Sequence, residues 1–286
     1  MIRLNMGISR EDGRLGMESL LTGVQQGLDL VMSQLPLGHP ALEQIQNAKI
    51  VAHRGGLDSG YRENTLPAFH RASLLGMWGV EFDVRWTRDE VPVIHHDARL
   101  GRVHPGRGVI AQLTFGELRA LAPLVPTLEE VVQTFGGKMH FMIELKDKEL
   151  NHASRKKKIL EEHLSSLSPR HDYHFLSLSK EPPLALGIDP QLCLLVAELN
   201  ILKIKKEVLE WDFAGLAGHY LLTTSALQKQ LRAKGKLVGS GFLSHKNLLM
   251  RELCMNRDFL FTDHPKIITR SMKDLRKKIG QHARPL

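Results

Sequence analysis

Four short stretches of the chain carry residues suited to metal and acid–base chemistry: Val51-Ala52-His53-Arg54-Gly55-Gly56, Glu81-Phe82-Asp83, His95-His96-Asp97 and Ile143-Glu144-Leu145-Lys146. Side chains alternate along an extended segment, so Glu81 and Asp83 share one face and Phe82 takes the other. Two carboxylates on one face of a buried strand are costly unless something compensates them. A hard divalent cation such as Mg2+ or Ca2+ does so, and so do basic partners in salt bridges. Glu144 and Lys146 repeat the device. They offer a third carboxylate to a metal and a positive charge to an anionic transition state, although an intrastrand ion pair accounts for the same two residues. His53 ends an apolar run and is followed by glycines that permit a sharp turn. His95 and His96 are adjacent, so they face opposite ways, and alternation does not choose which one enters a site. Asp97 can orient a neighbouring imidazole through a ring N–H.

These residues need a frame that brings them together. From Lys49 onward short apolar runs alternate with helical patterns, and eight runs read as strands: 49–53, 80–84, 140–145, 173–179, 192–199, 215–222, 236–242 and 259–263. Helical patterns cover 64–75, 127–135, 152–167, 223–234, 245–256 and 265–278, with Thr127 as an N-cap and Glu130 completing a capping box. Repeated β–α alternation predicts a parallel sheet, and eight strands over this length predict a closed (β/α)8 TIM barrel of the α/β class. The candidate residues then fall at the ends of the first three barrel strands, where such barrels keep their chemistry. Residues 85–126 exceed a single connection: an extended piece at 91–97, a turn-rich stretch and a short helix form an excursion after the second strand, with the insertion at about 98–125. Ahead of the barrel, 1–48 reads as an N-terminal helical extension. Leu20, Val24, Leu28 and Met32 form an apolar stripe, and Pro36, Gly38 and Pro40 break the pattern. The barrel domain is then 49–286.

The formal charge of +8 admits anionic partners, but much of the excess lies in two helical segments near Arg155–Lys158 and in 266–284. No nucleic-acid-binding module is evident. Two cysteines, no apolar run long enough to span a bilayer and no signal-peptide pattern at the start predict a cytoplasmic protein without stable membrane insertion.

The run His53-Arg54-Gly55, Glu63-Asn64-Thr65, Glu81 and Asp83, Thr87 and Asp89, Pro92-Val93, His96-Asp97, Leu100 and Arg102 resembles the opening of glycerophosphodiester phosphodiesterases. Pro126-Thr127-Leu128-Glu129-Glu130, Glu144-Leu145-Lys146 and Thr262-Asp263-His264-Pro265 resemble later family motifs, so the likeness is dense over 50–146 and thin to about 270. The resemblance implies His53 and His96 as an acid–base pair, Glu81, Asp83 and Glu144 as ligands of Mg2+ or Ca2+, and Arg54 and Lys146 as phosphate contacts. It implies Glu63 as a supporting residue of the substrate site. The implied reaction, in lipid and glycerol metabolism, turns a small-molecule glycerophosphodiester and water into an alcohol and glycerol 3-phosphate. A lysophospholipase D-like activity or another phosphodiester substrate suits the same barrel. A barrel that only binds would be expected to lack site residues. The family often carries a Trp-Thr-Val-Asn-like strand late in the barrel; here Val238-Gly239-Ser240-Gly241-Phe242 stands instead, which predicts an altered pocket wall.

Overall fold

The computed structural model describes Gly27, residues 38–147 and residues 151–282, with side chains to Lys277. Nine strands follow in order: β1 (Ile50–His53), β2 (Gly79–Trp86), β3 (Pro92–Ile94), β4 (His140–Leu145), β5 (Tyr173–Ser177), β6 (Cys193–Ala197), β7 (Gly215–His219), β8 (Leu237–Gly241) and β9 (Phe259–Thr262). All but β3 run parallel, and β1 pairs with both β2 and β9. The eight parallel strands therefore close into a barrel with helices between them, as the sequence predicts.

Alternation along each strand separates two apolar compartments. Val51, Met142, Leu176, Leu194, Ala217, Phe259 and Phe261 come from six strands and pack together as the barrel's inner plug. Their neighbours Ala52, Phe82, Phe141 and Ile143 belong to the larger core between barrel and helices. Two residues beyond the plug, on the same inner face, stand His53 after Val51 and Glu144 after Met142. The apolar layer thus forms the floor of a polar mouth.

Register completes the arrangement. His53 lies beside Glu81 across β1 and β2, and Asp83 lies beside Glu144 across β2 and β4. The excursion after β2 contains β3, antiparallel on β2, and the helix Phe115–Leu121. Val93, Leu100, Ile110, Leu118, Ala122 and Val125 give it an apolar cluster of its own. The predicted Thr127–Glu130 capping box is present, with Thr127 Oγ1 accepting from the Glu130 amide at 3.1 Å and Glu130 Oε2 accepting from the Thr127 amide at 2.8 Å.

Two helices depart from the sequence prediction. Ile201–Glu210 buries Ile204 and Val208 but lacks a side-chain cap at Asn200. Glu181–Ala185 is a single turn whose Pro182 and Pro183 sit in the first helical positions, where a missing N–H costs little. The expected stripe Leu20, Val24, Leu28 and Met32 lies outside the described residues. Leu42–Gln46 forms a short helix, with Ile45 fully buried and Gln44 Nε2 donating to the Cys254 carbonyl at 3.2 Å. Among the described residues no helix is long and apolar enough to cross a membrane.

Candidate active site

The turn after β1 brings His53 and Arg54 to the mouth, and local backbone demands explain its sequence. Gly55 and Gly56 adopt φ of 84° and 92°, a region favouring residues without Cβ. A Cβ on Gly56 would meet the Pro265 ring at 2.3 Å, so this glycine lets the start of the last helix pack against the His53 turn.

Glu81, Asp83 and Glu144 converge, with one carboxylate oxygen from each lying within 4.8 Å of the others. All three residues are buried. Their surroundings differ. Asp83 Oδ2 accepts from Asn64 Nδ2 at 2.7 Å and faces Arg54 Nε at 3.3 Å, while Oδ1 faces Lys146 Nζ at 3.3 Å. Glu144 Oε1 accepts from Lys146 Nζ at 2.9 Å. Glu81 Oε2 accepts from the Arg54 backbone N–H at 3.0 Å. Glu81 Oε1 is buried without a partner, and Asp83 Oδ1 meets only the Lys146 ammonium. Three converging carboxylates with a bare buried oxygen among them are donors a hard dication takes readily, so the three residues fit a metal ion.

The electrostatics follow from that crowding. Burial, reinforced by Asp83 and Glu144, pushes the Glu81 carboxyl up to about 8. Burial and the Asp83 charge likewise raise Glu144. Burial also works against the Asp83 carboxylate, but Lys146, Arg54 and His96 outweigh it and hold the group far below the ordinary range. Three carboxylates that cannot all ionise comfortably together are receptive to an added positive charge.

The two predicted histidines come from different elements. His53 directs Nδ1 to Asp263 Oδ1 at 2.7 Å and Nε2 toward Glu81 Oε2 at 3.8 Å. Burial opposes its protonation, but Glu81 and Asp263 prevail and raise its pKa. Beyond β3 the adjacent histidines separate. His95 is buried, its Nδ1 against the Asp97 carbonyl at 2.8 Å and its ring beside His104. His96 is partly exposed and directs Nδ1 to Asp97 Oδ1 at 2.7 Å. Burial, with help from Arg54 and Lys146, lowers His96 to about 4. The charge of Asp83 is felt at both rings, and His96 also feels Arg54 and Lys146.

Glu63 is held from two sides. Its Oε1 accepts from Arg54 Nη1 at 3.2 Å and from Arg102 Nη2 at 2.6 Å. Arg102 also donates to Asp97 Oδ2 at 2.6 Å. Glu63 therefore braces Arg54, and Arg102 ties it to the segment carrying His96. On the wall predicted to differ, the Phe242 ring packs against His53 with centroids 4.6 Å apart.

Sequence reasoning did not assign roles to Asn64, Arg102 or Asp263. For Asp263 a signal existed: it stands two residues beyond Phe261, as His53 stands two beyond Val51. Asn64 and Arg102 carry no periodic signal, because both sit in loops and only tertiary contact gives them partners.

A model of the glycerophosphoryl diester phosphodiesterase family matches residues 53–201. Among curated proteins, mouse glycerophosphodiester phosphodiesterase 1 is 39% identical over 95 residues, 29% of this chain and 28% of that protein. Glycerophosphodiester phosphodiesterase of Caldanaerobacter subterraneus subsp. tengcongensis is 35% identical over 100 residues, 31% of this chain and 41% of that protein. These matches thus span less than half the length of either relative. Among solved structures, glycerophosphodiester phosphodiesterase from Thermotoga maritima superposes with a TM-score of 0.66 at 22% identity, over 78% of this chain and 97% of that one. An Oleispira antarctica phosphodiesterase in complex with the product sn-glycerol-3-phosphate gives a TM-score of 0.66 at 23% identity, over 79% and 96% of the two chains. At such identities the structural likeness shows the fold. The family match covers more than half of the chain, and on that ground this protein belongs to the glycerophosphoryl diester phosphodiesterase family.

Proposed function

We propose that this protein is a metal-dependent phosphodiesterase that hydrolyses glycerophosphodiesters to an alcohol and glycerol 3-phosphate. Glu81, Asp83 and Glu144 hold Mg2+ or Ca2+, His53 and His96 act as acid and base, and Arg54 and Lys146 contact the phosphate. The observation carrying this reading is the buried triad of carboxylates, with Glu81 Oε1 left without a partner. When bound, the dication supplies Lewis-acid stabilisation of charge on the phosphoryl oxygens.

The chain's own residues do the remaining work. Arg54 is fixed by Glu63 and Asp83, and Lys146 by Glu144 and Asp83, so both cations are placed before substrate arrives. One histidine takes a proton from the attacking hydroxyl, and the other gives a proton to the leaving alkoxide. By family likeness, a glycerol hydroxyl next to the phosphodiester attacks first. The alcohol leaves, a cyclic phosphate forms, and water opens it with the two proton transfers reversed. The product complex of the Oleispira antarctica protein supports glycerol 3-phosphate as the retained half. Free Cys193 and Cys254 suit a reducing, cytoplasmic setting. In this reading 49–286 is the catalytic barrel and 1–48 a helical extension.

The test is release of glycerol 3-phosphate from a panel of glycerophosphodiesters and lysolipids by purified protein. Activity is expected to vanish with a chelator and return with Mg2+ or Ca2+. Full activity in metal-free protein would refute the reading, and turnover confined to lysolipids would move the substrate to that class.

A further inference from the structure

We propose that Asp263 and Asp97 are positioning residues, one for each histidine, that fix the imidazole tautomer so that both rings offer Nε2 to the pocket. The proposal rests on His53 and His96 being the acid–base pair.

The two histidine–aspartate pairs have the same geometry. Asp263 Oδ1 lies 2.7 Å from His53 Nδ1, and Asp97 Oδ1 lies 2.7 Å from His96 Nδ1. An ionised carboxylate only accepts, so each Nδ1 carries the proton and donates it. The lone pair of the neutral ring, or the mobile proton of the charged one, is then on Nε2. For His53 that nitrogen faces the Glu81 side of the carboxylate triad, at 3.8 Å. Neither aspartate belongs to the triad found among the described residues.

Each aspartate is itself held in place. The Asp263 carbonyl accepts from the Leu57 amide at 2.7 Å, which locks the end of β9 to the turn bearing His53. Thr262 fixes the end of β9 on the other side, donating from Oγ1 to the Leu243 carbonyl at 2.6 Å and accepting from the His264 amide at 2.9 Å. Asp97 is clamped by Arg102, whose Nε and Nη2 donate to Oδ2 and Oδ1 at 2.6 and 3.2 Å. Arg102 is in turn bound to Glu63 at 2.6 Å. A carboxylate fixed by its own backbone or by a forked guanidinium can hold a ring to one orientation; a mobile surface carboxylate cannot.

Tautomer and turnover are to be measured separately on the full chain with Mg2+ present. Nitrogen-15 NMR of histidine-labelled protein reads the protonated ring nitrogen, with signals assigned by their loss in His53→Gln and His96→Gln. Wild-type protein is expected to show both rings protonated on Nδ1. In Asp263→Asn the amide can donate to Nδ1 and move the His53 proton to Nε2, and Asp97→Asn can do the same at His96. Turnover of a glycerophosphodiester should then fall by roughly 10²–10⁴-fold, with KM changed by less than about threefold, as expected for a misassigned tautomer. Asp263→Glu, which keeps the acceptor, should restore the Nδ1-protonated ring.

A neutral wild-type ring protonated on Nε2 overturns the proposal, and so does an Asp263→Asn protein with its His53 tautomer unchanged. A shifted tautomer with wild-type turnover instead overturns the acid–base reading, and the proposal with it. If a variant fails to fold, the wild-type tautomers still decide.

Discussion

At the scale of residues, the metal-free site stores unfavourable electrostatics. Glu81 crowds Asp83 and Glu144 in a buried space, and one of its oxygens has no partner. Glu81→Gln keeps the volume and removes a carboxyl that on folding must either take up a proton or crowd its neighbours with charge. It is expected to abolish metal-dependent activity while stabilising metal-free protein by about 1 kcal/mol, a Tm rise of roughly 2–4 °C for a chain of this size. Calorimetry with and without Mg2+ checks both signs, because wild type should gain stability from the ion and the variant should not. His53→Ala and His96→Ala are expected to lower kcat by at least about 10²-fold, with circular dichroism unchanged. Arg102 joins Asp97 to Glu63 at the protein surface. Arg102→Ala should reduce kcat/KM substantially, and added guanidinium should recover part of the loss. Wild-type kinetics in Arg102→Ala would show that the clamp is dispensable.

At the scale of elements, the turn after β1 is where the backbone constrains function most directly. Gly56 combines a φ of 92° with a Cβ position 2.3 Å from Pro265. Gly56→Ala must therefore push the start of the last helix away from the turn that positions His53 and Asp263. A loss of about 2 kcal/mol or more is expected, with a greater fall in activity than destabilisation alone explains. Denaturant unfolding beside kinetics on the folded fraction separates the two effects. Thr127 is a simpler case, because its capping box lies at the start of a helix on the barrel's flank. Thr127→Ala should cost about 1 kcal/mol and leave kcat unchanged.

At the scale of the whole molecule, a buried pair of histidines away from the carboxylate cluster is held neutral. His140 Nδ1 donates to the His171 carbonyl at 2.8 Å, so its neutral Nε2 accepts from His174 Nδ1 at 2.9 Å. His140 also stacks on Trp78, with centroids 4.2 Å apart. Burial lowers His140 to about 4, and burial with neighbouring His140 and Lys49 lowers His174 to about 3. Both folded values lie below the ordinary value of about 6.5, so below that pH the unfolded chain binds more protons. Stability is fully present above about pH 6.5 and falls as the pH drops toward 4, by up to about 1.4 kcal/mol per pH unit for each histidine. Urea unfolding at pH 7.5 and pH 5 checks the slope. His174→Gln should flatten it without altering turnover at neutral pH.

The sequence alone indicated the barrel and drew four candidate residues to the ends of its strands, because both depend on short-range order. Strand alternation places Glu81 with Asp83 and sets Glu144 two residues beyond Met142, and it puts His53 at the end of an apolar run. The Thr127–Glu130 box is equally local. Alternation could not choose between His95 and His96; in the structure His95 is buried beside His104, while His96 is partly exposed and paired with Asp97. Nor could local pattern pair Asp263 with His53, which are 210 positions apart along the chain. That contact exists only because β9 closes on β1. The wall carrying Phe242 in place of the expected tryptophan took its meaning the same way, from a ring seated on His53. Periodicity reports which face a side chain takes. Which partner it meets there is set by barrel closure and by the loops, and neither leaves a periodic trace in the sequence.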